Sequence, residues 1–374
     1  MVTISKPDER PARPYFSSGP CAKPPGWSPD RLKLDSLGRS HRSKLGKARL
    51  QYSINLMREL LQLPDSHRIG IVPGSDTGAF ELAMWTMLGA RPVTALAWES
   101  FGDGWVTDAV KQLKIEPTVI RADYGELPDL RQVNWNHDVL FTWNGTTSGV
   151  RVPDGEWIAS DRGGLSFADA TSAVFAYDIP WDKVDVATFS WQKVLGGEGA
   201  HGVLILGPRA VERLESHTPD WPLPKLFRLT KSGKLIEGVF SGETINTPSM
   251  LAVEDAIVAL EWAKSVGGLH GMIGRTEANA AALDRIVRKR AWLSYLAADP
   301  ANRSTTSVCL VLDGADQDRI KRMAALLEGE GAAYDIAGYR DAPPGLRIWC
   351  GATVDTPDIE ALGPWLDWAW EQTA

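Results

Sequence analysis

Cysteine is scarce in this chain: Cys21, Cys309 and Cys350 are the only three in 374 residues. An odd, widely spaced set neither staples a small fold nor supplies the CxxC pairs of a zinc or redox site, so ordinary thiols in a reducing compartment are expected. No stretch approaches the roughly 18 consecutive apolar residues of a membrane span. The first fifteen residues, MVTISKPDERPARPY, carry charge and proline where a secretory signal has an apolar segment. Together these absences predict a soluble, cytoplasmic protein with no membrane partner. Positive charge is not in excess either. With 40 Lys and Arg against 47 Asp and Glu, the formal charge of −7 gives no electrostatic case for a nucleic-acid partner. Internal repeats and low-complexity tracts are also missing.

What is present reads as a two-domain enzyme. A chain of 374 residues exceeds the size at which a single core usually keeps growing. After an arm over residues 1–15, expected to be mobile, Gly and Pro in FSSGPC mark a turn. Residues 44–63 space Leu45, Leu50, Ile54, Met57 and Leu61 at helical intervals and stop at Pro64. Short apolar runs then alternate with helical stretches: RIGIV, VTALAW, PTVIR, HDVLFTW, SFADA, VDVATFSW and HGVLILG. Such alternation predicts an α/β fold, a mainly parallel sheet flanked by helices. Long helical patterns over residues 248–291 suggest a bridge to a second domain, and SVCLVLD, AYDIAG, GLRIWCG and PDIEALGPWLDWAW suggest that it is α+β. The division predicted is 1–15 for the arm, 16–262 for the large domain and 263–374 for the small C-terminal domain. Helical spacing of Trp365, Trp368 and Trp370 predicts packing.

Three segments carry chemistry. TFSWQKVLGGEGAHGVLIL places Lys193 between a strand and a glycine-rich turn. GLSFADATSA places Asp169 at the end of an apolar run, where parallel sheets present ligand-binding groups, although an aspartate there also caps helices. VPGSDTGAFELAMW sets Gly74 to Gly78 before a helix whose N-terminal amides favour a phosphate, a signal that is weak alone. A lysine amine, a carboxylate and an anion cradle are what pyridoxal 5′-phosphate requires: an amine to hold its aldehyde, an acid at its ring nitrogen and a seat for its phosphate.

With these segments in place, the chain resembles the phosphoserine aminotransferases, class V members of the fold-type I pyridoxal-phosphate enzymes. The likeness runs through FSSGP (16–20), SHR (40–42), GSDTGA (74–79), NGTTSG (144–149), ADATS (168–172), WQK (191–193), NTP (246–248) and GLR (345–347). The resemblance implies a seven-stranded type of sheet in the large domain. It further implies Lys193 as the Schiff-base lysine and acid/base, Asp169 at the ring nitrogen, and Thr146 at the ring hydroxyl. Ser75, Asp76, Thr77, Thr171 and Gln192 would form the phosphate cradle and its loop. Trp105 would stack on the ring, with Phe101 a competing candidate. Asn246 and Thr247 would reach the cofactor of the other subunit, which implies a homodimer with composite sites. Arg347 would clamp the substrate carboxylate, while His41, Arg42 and Arg340 would hold its phosphate. The implied reaction moves an amino group from glutamate to 3-phosphohydroxypyruvate, giving O-phospho-L-serine for serine synthesis, with 4-phosphohydroxy-L-threonine of vitamin B6 synthesis a related substrate. Two positions depart from the pattern: Tyr339 stands before Arg340 where many members have histidine, and SDTG lacks the arginine that many carry. The competing readings are an alanine- or serine-glyoxylate type of aminotransferase, which needs neither His41 nor Arg42, a cysteine desulfurase, and a non-catalytic pyridoxal-phosphate-binding regulator.

Overall fold

Strands in this chain form where apolar residues run without a polar alternate, because both faces of the sheet are covered. The structure, a computed structural model, describes residues 4–374, so the first three residues of the predicted arm lie outside the described residues. Seven strands, β1 (Arg68–Pro73), β2 (Val93–Ala97), β3 (Thr118–Arg121), β4 (Asp138–Thr142), β5 (Ser166–Asp169), β6 (Val186–Ser190) and β7 (His201–Leu206), lie in the order β1-β7-β6-β5-β4-β2-β3. Pairings among β2 to β6 are parallel, and β7 runs antiparallel to both its neighbours. Successive residues serve opposite faces: Ile71, Phe141, Ala168, Ala187 and Val203 enter one core, and Val72, Leu140, Phe167, Val186 and Leu204 enter the other.

The second core is closed by α2 (Ser75–Met87), α3 (Ser100–Lys111) and α4 (Pro208–Ser216). The first is closed by α1 (Lys44–Leu60) and α5 (Met250–Ser265) and continues into the C-terminal region. Helix α1 starts where Ser43 Oγ accepts from the Gly46 amide at 3.1 Å and ends four residues before Pro64. The predicted boundary after residue 262 falls within the last turn of α5, and the nearest break in the chain is at Val266 and Gly267, before α6 (Gly268–Arg288).

Beyond α6 the chain builds an antiparallel sheet of β8 (Leu293–Tyr295), β9 (Ser307–Leu312) and β10 (Leu346–Trp349), with α7 (Gln317–Gly329) and α8 (Thr356–Gln372). AYDIAG makes no strand of its own; within it, Tyr334 bridges to Tyr15 and Ala337 to Leu346. The described part of the arm is anchored rather than loose. The amides of Ile4 and Ala12 donate to Glu371 and Asp358, Trp365 Nε1 donates to the Glu9 carbonyl, and Tyr334 and Trp349 amides donate to Pro14 and Phe16. An extended segment that satisfies its backbone groups in this way needs no apolar periodicity to be held. Trp365 and Trp368 meet edge to face, and Trp370 stacks flat on Trp292 at 4.6 Å, so the C-terminal tryptophans do pack. No helix among the described residues is long and apolar enough to cross a membrane.

Buried ion pairs tie α4 to the strand ends away from the candidate site. Asp138, fully buried at the start of β4, takes Arg213 at 2.7 Å and the Leu165 amide at 2.9 Å. Removing the guanidinium strands a carboxylate without compensation, so Arg213→Ala should lower unfolding free energy by about 3 kcal/mol in denaturant titration. An unchanged midpoint would mean that the pair contributes nothing.

Candidate active site

Three parallel strands end side by side at one edge of the sheet, and their last residues determine what faces the crevice there. Asp169 closes β5 in register with Thr142 of β4 and Thr188 of β6. Two residues beyond β6, Trp191 and Gln192 lead to Lys193. Opposite them, β1 passes into α2 through Gly74, whose φ of 86° is accessible to glycine without steric cost. The Gly74 amide donates to the Ala200 carbonyl at 3.2 Å, which ties this turn to the loop ahead of β7.

These elements enclose a cleft of about 210 Å³ lined by Gly19, Pro20, Ser75, Asp76, Thr77, Phe101, Trp105, Asp169, Thr171, Gln192 and Lys193. Nine residues singled out from the sequence, both aromatic candidates among them, therefore share one cavity. The amides of Asp76 and Thr77, in the first turn of α2, have no acceptor among the described residues, and Gln192 Oε1 is buried without a donor. A helix N-terminus with free amides, beside the hydroxyls of Ser75, Thr77 and Thr171, is suited to an anion.

Asp169 is 4% exposed and well supplied with donors: Trp105 Nε1 bonds Oδ2 at 3.0 Å and the Thr171 amide bonds Oδ1 at 3.2 Å. Burial nevertheless holds its carboxyl above the ordinary range. Burial also lowers the Lys193 amine, and the Arg347 charge adds to the effect, so more of it is neutral and nucleophilic near pH 7. Of the two aromatic candidates, Trp105 is buried and bonded to Asp169, whereas Phe101 is 38% exposed and lies 5.8 Å from the Tyr339 ring.

The remaining candidates lie elsewhere. Thr146 is buried outside the lining, its hydroxyl donating to Ser172 Oγ at 2.9 Å and its carbonyl accepting from Ser307 Oγ at 2.7 Å. Arg347, on β10, has its guanidinium 5.5 Å from the Tyr339 ring centroid and its Nε buried without an acceptor. Arg340 is exposed and pairs loosely with Asp341 at 3.4 Å. His41 and Arg42 line a separate cleft of about 290 Å³ with Lys47, Gly242, Glu243 and Thr244. Asn246 and Thr247 follow directly, and Thr244 Oγ1 donates to the Asn246 carbonyl at 2.6 Å. One chain thus carries the cofactor-type cleft and, apart from it, the cluster expected to serve another subunit.

Sequence reasoning passed over the inner face of FSSGP as a lining element. Ser18 accepts a hydrogen bond from Lys193 Nζ through its carbonyl, and a side chain at Gly19 would collide with the same Nζ. The small-residue run was the available signal, since only a chain without side-chain bulk allows the lysine so close. Glu99 was missed as well. It is 1% exposed, caps α3 by accepting from the Gly102 amide at 2.9 Å, and accepts from Thr147 Oγ1 at 2.7 Å. The cysteines are inert: Cys309 and Cys350 are buried, and burial pushes the Cys21 and Cys309 thiols up to about 12. This leaves no reactive thiolate for a desulfurase.

Burial raises the Glu99 carboxyl from 4.5 to about 7. A proton held by the folded chain and not by the unfolded one stabilises fully below about pH 4.5, and that contribution is lost as pH rises through about 7. Glu99→Gln should therefore remove a pH-dependent contribution on the order of 3 kcal/mol from the wild-type stability curve across that window. Parallel wild-type and variant unfolding curves would contradict it.

No family model matches the chain. Among curated proteins, the phosphoserine aminotransferase of Methanosarcina barkeri is 58% identical over 366 residues, covering 98% of this chain and 99% of that protein. Among solved structures, a phosphoserine aminotransferase from Cytophaga hutchinsonii superposes with a TM-score of 0.83 at 21% identity, over 95% of this chain and 98% of that one. An alanine–glyoxylate aminotransferase from Nostoc gives 0.80 at 19% identity, over 98% and 97%. The fold is therefore shared across aminotransferases of different specificity.

Proposed function

The chain belongs to the phosphoserine aminotransferase family, and from that premise we propose that it transfers an amino group from glutamate to 3-phosphohydroxypyruvate, giving O-phospho-L-serine and 2-oxoglutarate, with pyridoxal 5′-phosphate held at Lys193. The observation that carries this reading is the convergence of Lys193, Asp169 and the open first turn of α2 on one cleft. Each matches one requirement of the cofactor. The amides of Asp76 and Thr77, with Ser75, Thr77, Thr171 and Gln192, offer donors to a phosphate. Asp169, oriented by Trp105 and Thr171, is a carboxylate able to hold a proton at the ring nitrogen. The Trp105 indole offers an apolar wall.

Bound there, pyridoxal phosphate supplies a carbonyl carbon that takes up the amino group and a conjugated ring that accepts the electron pair left at the substrate α-carbon. The protein's part is proton handling and orientation. Lys193 Nζ would hold the cofactor through its carbonyl carbon and, when free, would accept and return the proton moved from the substrate α-carbon. Its lowered proton affinity suits it to both halves of that task. Arg347 meets the α-carboxylate, and its fork matches that anion in two bonds.

Distal recognition requires a second subunit in this proposal. His41, Arg42, Asn246 and Thr247 do not line the cofactor cleft of their own chain, and Leu34, Leu37 and Leu251, a few residues from them in sequence, are exposed. A two-fold dimer burying that apolar surface would bring the basic cluster to the partner's cleft, with Arg340 assisting from the small domain. The division of the chain at 15 and 262 belongs to this proposal too.

Two measurements test it. In spectral titration, the absorbance of the bound cofactor should bleach with O-phospho-L-serine and not with L-serine or L-alanine. An equal response to alanine would favour the neutral-acid reading, and no cofactor band at all would defeat the assignment. For the dimer, Lys193→Ala and Arg42→Ala chains are each expected to be impaired, the latter by about tenfold in KM for the phosphorylated substrate. Co-expressed, they should form heterodimers with one intact composite site and recover turnover. Absence of recovery would place Arg42 at its own chain's cleft.

A further inference from the structure

Asp76 stands in the first turn of α2, among the amides proposed to hold a phosphate. An ionised carboxylate at that place would repel the anion that the turn is built to attract. The usual reason for an acid there is to accept from the helix's own amides, yet Asp76 Oδ1 is buried with no donor. The side chain is 6% exposed and shares the cleft wall with Asp169 and Lys193.

Its surroundings have unused hydrogen-bonding capacity. Thr142 and Thr188, which flank Asp169 in register, each have a buried hydroxyl without a partner. Asp169 differs from Asp76 in being supplied with donors on both oxygens, from Trp105 and from the Thr171 amide. Two neighbouring carboxyls out of water do not both ionise. Asp169 has two fixed donors and Asp76 no more than the rotatable Thr188 hydroxyl, so the charge settles on the first and the proton on the second.

We propose that Asp76 is a positioning residue for Asp169: held neutral, its carboxyl donates a hydrogen bond to Asp169 and fixes Asp169 as the ionised partner at that end of the cleft. Electrostatics agree with the geometry. Burial raises the Asp76 carboxyl well above the ordinary range, and the Asp169 charge raises it further. The opposing cation is Lys193, itself lowered by burial and by Arg347. The Asp169 charge also helps to raise the Glu99 carboxyl, and His201, on β7, is kept neutral because burial lowers it to about 4. A neutral Asp76 removes the conflict with a phosphate at α2, so the SDTG turn can serve as an anion seat despite its acid. This last step rests on the cofactor reading above; the proton on Asp76 does not.

The test therefore has two arms. In the cofactor-free chain at neutral pH, infrared difference spectra of wild type against Asp76→Asn should show a protonated-carboxyl band that the variant lacks; no such band would overturn the proposal. If that variant fails to fold, the band is followed in Glu99→Gln, which removes the other carboxyl raised to about 7; there it should persist at neutral pH and vanish at alkaline pH, and its absence at neutral pH has the same meaning. In the second arm, pyridoxal phosphate affinity should fall about tenfold in Asp76→Ala and be largely restored in Asp76→Asn, which keeps a neutral donor. Asparagine as damaging as alanine would show that the charge matters and overturn the proposal, as would an unimpaired alanine variant. A wild type that shows the band but takes up no cofactor would overturn the proposed function and the positioning role while leaving the proton on Asp76 established.

Discussion

Holding charge out of water at the ends of parallel strands is the constraint on which this structure turns. Asp169 and Asp76 are buried and Lys193 is half-buried around one cleft, and each charge is costly there alone. The protein answers with fixed hydrogen-bond partners: the Trp105 indole and the Thr171 amide donate to Asp169, and the Ser18 carbonyl accepts from Lys193. What they leave over is a cavity with free amides on one wall and an amine of lowered proton affinity on another. Complementing it takes an anion, an electrophile for the amine and a basic ring nitrogen for the carboxylate. Pyridoxal phosphate has all three.

The same constraint explains why distant parts of the chain meet at the lysine. Segment 14–20 bonds to the C-terminal region through Pro14 and Phe16 and then delivers Ser18 and Gly19 to Lys193. Ser307 of β9 links Ser18 Oγ to the Thr146 carbonyl. The N-terminal segment, the small sheet and the NGTTSG loop are therefore one hydrogen-bonded assembly around the reactive amine. Fold alone would not select a substrate, since an alanine–glyoxylate aminotransferase superposes almost as well as a phosphoserine aminotransferase. Next to Phe101 of the cleft, Tyr339 lies within 5.8 Å of that ring and 5.5 Å of the Arg347 guanidinium.

How much could be read from sequence followed physical lines. Strands covered on both faces leave continuous apolar runs, so all seven strands of the main sheet were legible, as were the ends that present Asp169 and Lys193. Antiparallel β7 was not, because HGVLILG reads the same in either direction. The arm looked mobile because it has no apolar period, and its anchorage to Asp358, Glu371 and Tyr334 comes from backbone groups that leave no trace in composition. Glu99 and the inner face of Ser18 and Gly19 were hidden for a similar reason: their importance lies in who approaches them, and approach is a tertiary fact. Asp76 was visible as a loop letter, but its contact with the acid end of the cleft required α2 to be placed against β6 and β7.

The account stands on the claim that the Lys193 amine is the one that holds the cofactor. Incubation with pyridoxal phosphate, reduction with borohydride and peptide mapping by mass spectrometry tests it most directly. The prediction is a single stable adduct on the peptide containing Trp191, Gln192 and Lys193, lost in Lys193→Ala. An adduct on another lysine, or none on a folded chain, would contradict it.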